Sequence, residues 1–148
     1  MMKLDEEFKN AVEARRLLRR RGILCVQNRS FEDVQANEPD FWIRAALFEA
    51  FPQLLEFEKA RRPSASEYAA TLSETGFSNI ARRAYREVRK RYASFGQINE
   101  EILDRKGKSI LFELTNAELQ SYCDRLEAKH RSHRLIECDL WTVWAASA

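Results

Sequence analysis

The residues best placed for chemistry are Asn28 and Arg29, which follow the short apolar run Ile23-Leu-Cys-Val26. Before that run stand Gly22 and a basic stretch. The order reads as helix, turn, strand and polar loop. Open α/β sheets bind ligands in the crevice at the carboxyl ends of their strands, so an amide and a guanidinium here could orient a polar substrate. The competing reading is a loop whose side chains only bond nearby backbone. A second group is the basic run Arg82, Arg83, Arg86, Arg89, Lys90 and Arg91, with Tyr85 and Tyr92 interleaved. Such cations contact phosphates, and tyrosine rings stack on bases. The alternative is a solvated face balanced by acids such as Glu100 and Glu101. A net charge of only +2 favours that alternative.

Other reactive residue types carry less. His130, His133 and Cys138 are loosely spaced and lack a fourth ligand, so they read as helix-end histidines and a thiol rather than a metal site. Glu32 and Asp33 have no partner at a fixed spacing and read as surface acids. Cys25 lies in the apolar run and reads as an inert core thiol. Trp42, Trp141 and Trp144 read as core. No residue qualifies as catalytic, and no metal site is expected.

The elements that must position these residues follow from pattern. A chain of 148 residues with 45% hydrophobic residues is one globular domain's worth. Three widely spaced cysteines without a CxxC pair fit a reduced, cytoplasmic protein. No apolar run approaches a membrane span. Leu4, Phe8, Ala11, Val12 and Leu18 repeat at helical spacing and predict a helix over 4–20 that stops at Gly22. Ile23 to Val26 has no polar face and predicts a strand covered on both sides. Residues 29–38 read as a loop, and 39–50 as a helix broken at Phe51-Pro52. Ser64 with Glu67, Ser94 with Gln97 and Thr115 with Glu118 are capping-box pairs that predict helices near 65–75, 95–105 and 116–130. Residues 79–92 fit either a helix or a strand. Leu135 to Ala145 is apolar on both faces and predicts a strand inside a sheet.

Three patches in this order resemble the carboxyl-terminal half of a class I (Rossmann-like) S-adenosylmethionine-dependent methyltransferase. Leu18-Arg-Arg-Arg-Gly22-Ile-Leu-Cys-Val26 is similar to the segment leading into the family's fifth strand, with arginines in place of the usual Pro and first Gly. Pro63-Ser-Ala-Ser-Glu-Tyr-Ala-Ala-Thr-Leu-Ser-Glu-Thr-Gly-Phe77 is similar to the helix before strand six. Asp139-Leu-Trp-Thr-Val-Trp-Ala145 is similar to strand seven, which in that family runs antiparallel between strands five and six.

The resemblance implies a partial methyltransferase-type α/β fold: about three strands in the order five-seven-six, the last antiparallel, with helices on the faces of the sheet. Residues 1–90 would form the helix-strand-helix-strand portion of one domain over 1–148. Residues 91–134 would be a helical insertion, and 135–148 the final strand. Asn28 and Arg29 would face the substrate side. The family's glycine-rich cofactor loop is absent, because Gly22, Gly76, Gly96 and Gly107 are too far apart for GxGxG. The resemblance then implies the substrate-side half of an enzyme, inactive alone and binding no S-adenosylmethionine by itself. Its partner would be the missing amino-terminal half or a second copy, joined at the edge Ile23–Val26. The alternatives are a non-catalytic dimerising module, or a nucleic-acid-binding protein using 82–91.

Overall fold

The structure, a computed structural model, describes residues 3–148. Its elements are α1 (Lys3–Leu17), β1 (Ile23–Asn28), α2 (Phe31–Val34), α3 (Trp42–Ala50), α4 (Gln53–Arg61), α5 (Ala65–Glu74), β2 (Ser78–Arg91), α6 (Phe95–Leu103), α7 (Asn116–Lys129) and β3 (Ile136–Ser147). The strands form one sheet in the order β1-β3-β2, with β3 antiparallel in the middle. The ambiguous stretch 79–92 is therefore strand as far as Arg91. The expected three-stranded α/β sheet, with its last strand inserted between the first two, is present. Two compact units divide the chain: one of residues up to Gln35, Phe57–Arg86 and Leu140–Ala148, the other of Ala36–Glu56 and Glu87–Asp139.

In the first unit, α1 ends three residues before the expected stop, and the left-handed backbone falls on Arg21 (φ 65) rather than on Gly22. Gly22 is needed for a different reason. A Cβ there would lie 2.9 Å from the Arg19 carbonyl oxygen. The turn is held by Gly22 N–H donating to Arg19 O at 2.8 Å and Ala148 N–H donating to Gly22 O at 2.8 Å.

β1 was expected to be covered on both sides, and it is not. It pairs with β3 from Ile23↔Ser147 to Asn28↔Thr142, and its burial alternates. Leu24 and Val26 pack on a core of Ala11, Ala65, Tyr68, Leu72, Phe77, Trp144 and Ala146, supplied by α1, α5, the turn after α5 and β3. Successive strand residues point to opposite faces, so Ile23, Cys25, Val143 and Ala145 look the other way. Ile23 is 70% exposed, and the Cys25 thiol, expected in the core, is exposed. Helices thus cover one face of this part of the sheet rather than both. The bare face carries a shallow trough of about 350 Å³ whose lining includes Ala81, Tyr85, Val143 and Ala145.

The second unit is mainly helical. A 3-10 turn at Pro39–Phe41 precedes α3, and a second at Ser109–Glu113 precedes α7. Ile43, Leu47, Ile98, Ile102, Ile110, Leu111, Leu119 and Leu126 are buried here. Buried Tyr122 donates its hydroxyl to Ile43 O at 2.5 Å, and the Trp42 indole N–H donates to Arg134 O at 2.9 Å.

The capped helices start where expected. Ser64 and Thr115 close complete capping boxes with Glu67 and Glu118. Ser94 accepts from Gln97 N–H, but Gln97 Oε1 reaches past it to Ala93 N–H. A fourth box, Ser30 with Asp33, builds the short helix α2 inside the expected loop 29–38.

Candidate functional site

The carboxyl end of β1 is built from side chains that hold the sheet together. Asn28 Oδ1 accepts the Trp144 indole N–H at 2.9 Å, which satisfies a buried donor. Arg29 is buried, donates Nε to Leu140 O at 3.2 Å, and places its guanidinium 5.5 Å from the centroid of the Trp141 ring. Of the two readings open for this pair, the observed contacts are those of residues that order the neighbouring strand.

The next turn of chain shapes a cavity. Asp33 Oδ2 accepts Ser30 N–H and Thr142 Oγ1–H, each at 2.8 Å, and Ser30 Oγ accepts Asp33 N–H at 3.2 Å. Asp33, read from sequence as a surface acid, is 6% exposed. The reason is that it caps α2 and bonds β3 with one carboxylate. Glu32 Oε2 accepts Ala65 N–H at 3.1 Å, so this acid sits at the positive amino-terminal end of α5. Beside these groups lies a cavity of about 320 Å³ lined by Ser30, Glu32, Asp33, Arg82, Arg83 and Thr142, with Ala65 and Ala84. The Arg82 guanidinium lies 5.9 Å from the Trp144 ring centroid, in cation–π range. The structure thus joins two places that stand far apart in sequence: the end of β1 and the first two arginines of the basic run.

No protein-family model matches this chain, and no curated protein matches it closely. The site is therefore read from its own groups. Both acids already accept hydrogen bonds from the protein. Arg82 and Arg83 make no ion pair among the described residues. Such a cavity can hold and orient a polar molecule.

Arg86, Arg89 and Lys90 of the basic run are engaged elsewhere. Arg86 has polar or electrostatic partners of its own. In the second unit, Arg89 Nη1 pairs with Asp139 Oδ2 at 3.1 Å, and Lys90 pairs with Glu101. Asp139 also pairs with buried Arg44 at 3.1 Å. Glu137 accepts Tyr92 O–H at 2.8 Å and pairs with Lys108 at 2.5 Å, both ends of the latter pair being buried. A cavity of about 270 Å³ lies against Arg89, Lys90, Tyr92, Glu101, Lys106 and Glu137. Burial alone would push the Glu137 carboxyl up, but Lys108, the Tyr92 hydroxyl and Arg44 hold it below its ordinary value of 4.5. Burial first, and then Glu137, push the Tyr92 hydroxyl far up. Sequence reasoning missed this ionic cluster. The available signal was Glu137 and Asp139, two apart in an otherwise apolar strand and hence on one face. Buried acids need cationic or donor partners.

His130 stacks on Phe95 with ring centroids 4.6 Å apart, and His133 on Trp42 at 5.0 Å. Among the described residues, no three His, Cys, Asp or Glu side chains gather as a metal site would need.

Proposed function

We propose that this chain is the substrate-side half of a class I S-adenosylmethionine-dependent methyltransferase. The observation that carries the reading is the strand order β1-β3-β2, with the late strand antiparallel between the two earlier ones. That order corresponds to strands five, seven and six of the methyltransferase sheet. In support, α1 leads into β1 and α5 into β2, as the resemblance implies. The outer edge of β1 bears no strand among the described residues, and the adjoining face of the sheet is apolar and exposed. Both features suit a sheet that continues past β1 into the part that holds the methyl donor. This chain offers no glycine-rich loop for the donor, and its share of the work is to position the acceptor. Positioning is a large part of the catalysis of group transfer. The cavity beside Asp33 and Arg82, next to the end of β1, is the assigned acceptor site.

Calorimetry with S-adenosylmethionine tests the reading. This chain alone is expected to give no saturable binding, and tight stoichiometric binding overturns the proposal. The DNA upstream of Met1 supplies the positive arm: a coding segment with a glycine-rich loop, co-expressed with this chain, should yield a complex that binds the cofactor.

A second reading, a non-catalytic module that dimerises through β1, is favoured by the same open edge and by exposed Ile23 and Tyr85. Sedimentation showing a clean monomer, with β1 amides protected from hydrogen exchange, dismisses it.

A further inference from the structure

We infer that the cavity beside β1 binds an anionic group, a carboxylate or a phosphate, through Arg82 with Arg83 at its rim. The inference rests on the methyltransferase reading only in assigning that anion to the methyl acceptor.

The argument is one of which charges are already taken. Four of the lining residues are ionisable: Glu32, Asp33, Arg82 and Arg83. Asp33 Oδ2 accepts two hydrogen bonds from the protein, and Glu32 accepts from the first turn of α5. Those carboxylates are held by the fold and turned to structural use. The arginines are not: neither has a carboxylate partner among the described residues. The contrast with the far end of β2 is sharp, since Arg89 and Lys90 there each pair with an acid. Arg82 is also placed, its guanidinium lying over the Trp144 indole, whose N–H is fixed by Asn28. A planar guanidinium resting on a ring keeps its N–H edge free for a bidentate oxyanion. Thr142 donates its hydroxyl to Asp33 and Ser30 Oγ accepts Asp33 N–H, and the charged guanidinium is a stronger donor than either neutral hydroxyl.

The test is solution NMR of the arginine Nε–Hε and tryptophan indole signals, with sodium benzoate and inorganic phosphate titrated separately. The expected result is saturable shifts of the Arg82 Nε–Hε and Trp144 indole signals with one or both anions. The arm that saturates first identifies carboxylate or phosphate chemistry. Arg82→Gln should weaken binding about tenfold, the worth of one charge-assisted hydrogen bond. Arg83→Gln should weaken it less, and Arg89→Gln, whose side chain pairs with Asp139, should leave it unchanged. Arg82 is exposed, so its variant is expected to fold, with far-UV circular dichroism as the check. The inference is overturned by absent shifts, by equal shifts along the whole run from Arg82 to Arg91, or by unchanged binding in folded Arg82→Gln. None of these readouts involves a methyl donor, so they stand apart from the cofactor test above.

Discussion

Thr142 Oγ1 donates a 2.8 Å hydrogen bond to Asp33 Oδ2, across 109 positions of sequence. The same carboxylate oxygen accepts Ser30 N–H at 2.8 Å. One buried acid therefore caps α2 and pins it to the central strand.

Replacing that acid strands both donors. Asp33→Ala is expected to lower the unfolding free energy by about 2–4 kcal/mol, since two buried donors lose a charged acceptor, and Thr142→Val by about 1 kcal/mol. Urea unfolding of the double-mutant cycle should give a coupling of about 1 kcal/mol. Strict additivity would mean that the two residues do not share the bond.

Asn28 is tested against the indole it serves. Asn28→Ala leaves the Trp144 N–H without its acceptor and is expected to cost about 1–3 kcal/mol. In a Trp144→Phe background, which has no such N–H, the same substitution should cost much less. An equal cost in both backgrounds would assign Asn28 some other structural role.

The ionic cluster makes stability depend on acid pH with a definite sign. Glu137 titrates below its ordinary value of 4.5 in the folded chain. The unfolded chain thus binds the proton at higher pH. The stabilisation is complete above the ordinary value and is lost as pH falls through the lower folded value. Urea midpoints should drop on acidification below pH 4.5, and less steeply in Glu137→Gln. At neutral pH that variant should itself lose about 3–5 kcal/mol, because Lys108 is left buried without its partner. Glu137→Gln with Lys108→Met should recover part of the loss. Parallel acid slopes in wild type and variant would place the sensitivity elsewhere.

The thiols should separate by exposure. Cys25 is exposed, while Cys123 and Cys138 are buried, and burial pushes the Cys123 thiol up to about 11. A thiol-specific reagent should modify Cys25 rapidly in the native protein and reach the other two only in urea. Cys25→Ser should abolish the fast phase, and a fast phase that survives it would contradict the exposed face of β1.

The turn before β1 should tolerate change at one position and not at its neighbour. Gly22→Ala brings a Cβ to 2.9 Å from Arg19 O, a backbone clash expected to cost about 1–3 kcal/mol. Arg21→Gly removes a side chain from φ 65 and should be neutral or stabilising by less than about 1 kcal/mol. Calorimetric melting of the two variants in opposite directions would confirm where the strain lies.

What could be read in advance was local. Ser64, Ser94 and Thr115 begin their helices where expected, because a cap is satisfied within one turn of chain. β3 was legible as a central strand because both its faces are apolar. The burial of β1 was not, since Ile23 and Leu24 differ only in what the fold lays against them. β2 was ambiguous for a related reason: most of it is exposed, so no alternation marks its two faces. At the candidate site, Asn28 and Arg82 were singled out for their types. The groups that define the cavity with them, Asp33 and Thr142, are joined by a long-range hydrogen bond that no spacing rule anticipates. The partners of Glu137 and Asp139 lie on elements remote in sequence, which hid that cluster in the same way.

The position of β3 in the sheet also sets a timetable for biosynthesis. Among the described residues β1 pairs only with β3, from Ile23↔Ser147 to Asn28↔Thr142, and β2 likewise borders β3. While the ribosome is still making the residues before Ile136, neither earlier strand has its sheet neighbour. Sheet assembly therefore waits for β3 to be made and carries a high loop-closure cost. Until then β1 offers two open edges instead of one, and a chaperone or a neighbouring nascent chain meets it in that form.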